Sequence, residues 1–213
     1  DAAMTAKNYP EVVAKYSEYL KLTNYEDESR VFNCAFAAYN AKKYDDAIKF
    51  YDMAIQKGYK TDDAYVGKAM SLRSQDKAAD FTATVEAGLK ANAQNANLEK
   101  LLYAYCMKKG QAAQKAGKTE GAEELFKDVL VVGNAKYKGN ALYSLGVMFY
   151  NAGAKILADA NPIATSDPDK YAAEKKKADA QMAKAKGYLE QAIALNAADA
   201  NSKKILDAIN AAK

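Results

Sequence analysis

Apolar residues recur along this chain at intervals of three and four, with charged and amide side chains between them. That spacing lays one stripe along a helix; a strand would need alternation, and no segment sustains it. The pattern therefore predicts an all-α protein. Tyr9, Tyr16 and Leu20 share one face of a helix over 9–22, with Pro10 in its first turn and Asn8 as the expected cap. Val31, Cys34, Ala35 and Ala38 share a face of 31–41, and a helix opening at Tyr44 sets Ala47, Tyr51 and Ala54 four and three apart. Leu98, Leu101, Leu102, Tyr105 and Cys106 line a long helix that Ala112 and Ala113 continue. GAEELFKDVL at 121–130 follows, with Ala122, Phe126 and Val129 at the same spacing.

Leu142, Leu145, Gly146 and Phe149 mark the next helix, which Gly153 is expected to end. NPIATSDPDK at 161–170 reads as a loop, and Asp167 before Pro168 as the start of a helix reaching Leu195, roughly 40 Å long. Ala185, Leu189 and Ala192 repeat the four-then-three spacing on it. Ile205, Leu206 and Ile209 give 202–213 a single apolar face.

These segments repeat. A shift of 34 residues carries Ala35 onto Ala69, Tyr51 onto Val85, Ala54 onto Gly88 and Ile55 onto Leu89, although Ala78 and Phe81 replace Tyr44 and Ala47. A shift of 35 backwards carries Tyr44, Tyr51 and Ile55 onto Tyr9, Tyr16 and Leu20. The third copy gains seven residues, about two helical turns, which lengthens its first helix without rotating its buried face. The small residue in a first helix followed by A-x3-Y-x2-A in a second resembles the tetratricopeptide (TPR) repeat, whose period is 34. Leu142, Leu145, Gly146 and Phe149 match the large-Leu-Gly-Tyr order of that family's first helix. The resemblance is to TPR proteins of the bacterial cell envelope. It implies an α–α superhelix, a TPR-like solenoid, with a C-terminal capping helix.

The expected organisation is one domain over 1–213: a partial repeat at 8–24, repeats at 28–60, 62–94 and 96–133, a repeat at 139–196 with an insertion at about 154–181, and a capping helix at 201–213. Residues 2–7 read as the last turns of a first helix cut short by processing.

In such an array the first helix of each pair lines the concave face. The helical offset from the buried positions then places Phe32, Phe36 and Tyr39 there, with Val66, Met70 and Arg73 in the next copy. Met107 and Gln111 follow in the third, and Tyr143, Val147 and Tyr150 in the fourth. Aromatic residues anchor recognition surfaces and Met adapts to varied partners, so this stripe is the candidate groove for a peptide or partner helix. The same spacing equally suits core packing, with a tight superhelix or the 168–195 helix covering the stripe. The Lys and Asn clamp by which one member of the family holds chaperone carboxyl termini is absent: Phe32, Phe36 and Gly67 stand in its places.

Composition narrows the function further. The chain has no His, and neither a nucleophile elbow nor a phosphate-cradling Gly loop, so no catalytic residue is assigned and the reading is non-enzymatic. No cofactor or metal is expected: Cys34 and Cys106 form no ligand spacing and read as buried thiols. The net charge is +4 with 31 basic residues, of which only Arg30 and Arg73 are arginines, which argues against nucleic acid as partner. No apolar run is long enough to span a membrane. The partner is thus a protein or peptide, with a homo-oligomer allowed. The rival reading is a structural subunit of an envelope assembly using helix edges or the 154–181 insertion; a third is an accessory domain of a longer enzyme. Lys, Asn and Ala richness with few arginines suggests the periplasm or cell envelope of a bacterium, the cytoplasm being the alternative.

Overall fold

A computed structural model describes residues 2–211, with side chains from residue 4. Its order is α1 (Ala2–Thr5), α2 (Tyr9–Leu22), α3 (Glu28–Asn40), α4 (Tyr44–Gln56), α5 (Thr61–Ser74), α6 (Ala78–Ala91), α7 (Ala96–Lys115), α8 (Thr119–Asp128), a 3-10 turn Val129–Val131, α9 (Ala135–Ala160), a 3-10 turn Asn161–Ile163, α10 (Pro168–Leu195) and α11 (Ala200–Ala211). Among the described residues there is no strand. The chain forms two compact units, Asp1–Lys100 and Leu101–Lys213.

In the first unit α2, α3, α4 and α5 each pack on the helix that follows, and α3 also meets α5, the first helix of the next pair. The stripe explains the pairing. Val31, Cys34, Ala35 and Ala38 of α3 and Ala47, Tyr51 and Ala54 of α4 are all buried. Small residues let the helix axes approach, and Tyr51 fills the space beside them: a Cβ on Gly67 of α5 would collide with its ring. Substituting that glycine would expel a ring that is only 3% exposed.

The helix-to-helix turns repeat as well. Lys42, Asp76 and Gly117 all have positive φ, at 60°, 55° and 73°. After each, the next amide donates to the carbonyl five residues back: Lys43 to Ala38 (2.9 Å), Lys77 to Leu72 (3.1 Å) and Lys118 to Ala113 (2.9 Å). This is the left-handed closure that satisfies orphan carbonyls at a helix C-terminus. The three turns lie 34 and then 41 residues apart, matching the period and its gain of seven. First-turn carboxylates brace the packing, Asp45 of α4 between successive pairs and Asp62 of α5 within its own pair. Asp45 accepts from Gln75 Nε2 (2.9 Å) and Lys77 Nζ (3.4 Å), and Asp62 from Asn92 Nδ2 (2.7 Å).

The structure corrects two readings. Asn8 makes no side-chain cap bond to α2; its amide donates instead to the Glu11 carboxylate at 2.7 Å. Pro10 leaves fewer amides at that terminus to satisfy. Gly153 does not end a helix. Helix α9 runs through it to Ala160, because Gly153 is a contact glycine: a Cβ there would lie 3.0 Å from the Ala178 carbonyl oxygen of α10. Most of 154–181 is therefore an extension of both arms of one helical hairpin, with only 161–167 between them. The expected start of α10 is present, Asp167 accepting from the Lys170 amide at 3.1 Å. In the second unit α9 and α10 pack along their lengths, and α11 rests on both. The end of the expected capping helix, residues 212–213, lies outside the described residues.

Candidate functional site

In the first unit, α3 and α5 carry the candidate stripe. Phe36 is 42% exposed, and Tyr9 of α2 meets it edge-on with centroids 6.2 Å apart. Phe32 is half-buried between the rings of Tyr51 (5.8 Å) and Tyr59 (6.1 Å), and the Lys60 ammonium sits 5.2 Å from its centroid. Tyr39 is half-buried beside Tyr44, centroids 5.9 Å apart. On α5, Val66 and Met70 are half-buried and Arg73 is exposed. The rings thus divide their area: one edge joins the core and the other faces water, the amphipathic arrangement that suits aromatic anchors.

In the second unit Met107 is buried, 9% exposed, and Gln111 is exposed. Tyr143, Val147 and Tyr150 of α9 are half-buried. Tyr143 opens on a cavity of about 480 Å³ where the start of α9 meets the end of α10 and the start of α11. Tyr150 opens on a larger one of about 730 Å³, walled by α9 and α10 and by Ala208 and Ile209 of α11. Ala154, Leu157, Met182 and Ala183 line it. The expected stripe ends at Tyr150, before Gly153; the i+4 and i+7 continuation onto Ala154 and Leu157 is the sequence signal that extends it. A second feature outside the expected residues is the stacked pair Tyr103 and Tyr137, centroids 4.3 Å apart, with Asn140 Nδ2 donating to Tyr103 Oη at 2.8 Å.

Both cysteines are free, fully buried thiols. Burial pushes Cys34 up to about 11 and Cys106 up to about 12, so neither is a nucleophile. Among the described residues no group of three His, Cys, Asp or Glu side chains is placed to hold a metal ion, and no helix is long and apolar enough to cross a membrane.

Tandem helix pairs with a repeated left-handed turn define a helical-repeat protein of the solenoid class. No protein-family model and no curated protein matches the chain. Among solved structures, a TPR repeats protein from Bacteroides fragilis, BF2334, is 44% identical over 100% of this chain and 95% of its own, with a TM-score of 0.92. The P58(IPK) TPR domain is 13% identical over 99% of this chain and 62% of its own, and at a TM-score of 0.45 it bears no weight. The chain belongs to the tetratricopeptide-repeat family. Membership makes it, in general terms, a protein–protein interaction scaffold.

Proposed function

We propose that this protein is a non-enzymatic scaffold that holds a peptide or partner helix against its first-helix face, with Phe32, Phe36, Tyr39, Val66 and Met70 as the anchors in the first unit and Tyr143, Val147 and Tyr150 in the second. The observation that carries the reading is Phe36: a phenylalanine 42% exposed in the middle of a line of half-buried rings. Leaving that area in water opposes stability, and burying a ring against a partner recovers roughly 25 cal/mol per Å².

The test is capture from a lysate of the source cells, comparing wild type with the double variant Phe36→Asp, Tyr143→Asp. The variant is expected to lose the partners that wild type retains while keeping its helical signal and melting temperature. An unchanged partner set on a folded variant removes the groove from the account.

For localisation, we infer the periplasm or envelope of a bacterium. The lysine-rich, arginine-poor composition supports it, as does the bacterial source of BF2334. The free thiols are compatible with an oxidising compartment because both are buried. Fractionation of source cells with an antibody to the chain tests this, and recovery only with the cytosol would overturn it.

A further inference from the structure

The α9–α10 hairpin is longer than the helix it carries. Its arms have 26 and 28 residues, and α11 has 12. α11 enters at the base of the hairpin, where Asn201 shares a cavity with Tyr143 and Leu195, and towards its other end Ala208 and Ile209 line a second cavity with Tyr150 and Met182. From Tyr150 to Ala160 the α9 surface continues for roughly 15 Å, about three helical turns, with α10 packed along one side and Ala154, Leu157 and Ala158 lining the space beside Ala208 and Ile209 of α11. This is where the cavity of about 730 Å³ lies. We propose that this stretch is the seat of an acidic amphipathic helix from a partner protein, bound in line with α11.

Three observations support that occupant. The groove is walled by the same two helices that hold α11, and α11 docks there by one apolar stripe, with Ile209 buried and Ile205 and Leu206 half-buried. The seat beyond it is continuous with that interface and accepts the same shape. Its floor is small and adaptable: Ala154, Leu157 and Met182 leave room for a helix, and an unbranched Met conforms to its side chains.

The charge is complementary to acid. Residues 135–213 hold twelve lysines against eight acidic residues, so the chain's whole excess of four positive charges falls in this segment. Lys175 and Lys186 stand at the cavity, with Asp179 beside Lys175. Their present partners, Asp179 at 3.0 Å and Glu190 at 3.8 Å, are solvent-exposed i,i+4 carboxylates. Such pairs are weak, so both ammonium groups are free to turn to a partner's carboxylates. The seat shares Tyr150 with the stripe proposed above and uses none of the anchors named for the first unit.

The experiment uses fluorescein-labelled, hydrocarbon-stapled helical peptides of about twelve residues, with Leu and Ala along one face and either Glu or Lys elsewhere, titrated into the full chain by anisotropy. The Glu peptide is expected to bind, and the Lys peptide to bind at least about tenfold more weakly. Ala158→Glu and Ala183→Glu place a carboxylate in the seat from opposite walls. Both sites are exposed helix positions, so folding survives, and each variant is expected to weaken the Glu peptide at least about tenfold. Phe36→Asp, which tests the first-unit face, should leave this binding unchanged, so the two readings fail separately. Absence of binding, equal binding of both peptides, or wild-type affinity in both Ala→Glu variants overturns the proposal. So does a dimer in sedimentation that blocks the peptide and is abolished by Ala158→Glu, since the occupant would then be a second copy.

Discussion

Alanine in place of Gly153 and alanine in place of Gly187 are the same chemical change in the middle of the same hairpin, and the structure assigns them opposite signs. Each replaces a helical glycine, which by propensity alone is worth about 0.8–1.0 kcal/mol of added stability. At Gly187 of α10 a new Cβ meets nothing within 4 Å, so the whole gain is kept. At Gly153 of α9 the new Cβ would lie 3.0 Å from the Ala178 carbonyl oxygen and 3.1 Å from Met182 Cε. The Met can swing aside, but the carbonyl belongs to helix backbone, so the two arms must separate. Overpacking of that kind costs about 1–3 kcal/mol, which outweighs the propensity term and leaves a net loss of roughly 1 kcal/mol. The two variants should therefore differ by about 2 kcal/mol. For a chain of this length that is a separation of roughly 4–8 °C in Tm, with Gly187→Ala above wild type and Gly153→Ala below. Urea and thermal unfolding followed by far-ultraviolet circular dichroism measure both. If Gly153→Ala matches Gly187→Ala, the hairpin arms yield freely and the close-contact account of Gly153 is wrong.

The Asp27 cap has a pH signature. Its carboxyl is held below the ordinary aspartate range, chiefly by the Arg30 backbone amide and then by the Arg30 side chain. Because the folded pKa is lowered, its stabilisation is present above about pH 4 and is lost as pH falls through the folded value. Asp27→Ala should cost about 1 kcal/mol at pH 7, and the gap to wild type should narrow toward pH 2; a gap constant with pH would place the effect elsewhere. The buried, high-pKa thiols of Cys34 and Cys106 should resist iodoacetamide at pH 8 in native protein and both react in urea, as read by intact mass. Rapid labelling of either in native protein would contradict its burial.

Much of this fold could be read from spacing because a helix converts sequence distance directly into angle. Ala47, Tyr51 and Ala54 are buried where the four-then-three pattern puts them, and the same holds for Ala185, Leu189 and Ala192. The lengthening by seven residues reappears as the interval between the left-handed turns at Asp76 and Gly117. Gly153 resisted the same reasoning. A glycine near the end of an apolar stripe marks either a C-terminus or a close helix contact, and only the helix opposite decides between them. Asn8 failed for a related reason: a residue suited to capping had a competing local acceptor in Glu11.

The candidate surface was legible as a list of residues and not as a surface. Periodicity assigns Phe32, Phe36 and Tyr39 to one side of α3, yet Phe32 is partly taken into the packing of Tyr51 and Tyr59 while Phe36 remains open. Met107, at an equivalent offset, is buried. Intrahelical spacing therefore determined the helices, their pairing into repeats and the family they resemble. Those properties depend on contacts between residues close in the chain. Tertiary structure alone decided which stripe residues meet water, that α9 passes through Gly153, and that α11 leaves part of its hairpin uncovered. Each of these depends on the length and position of a second helix, which no local pattern encodes.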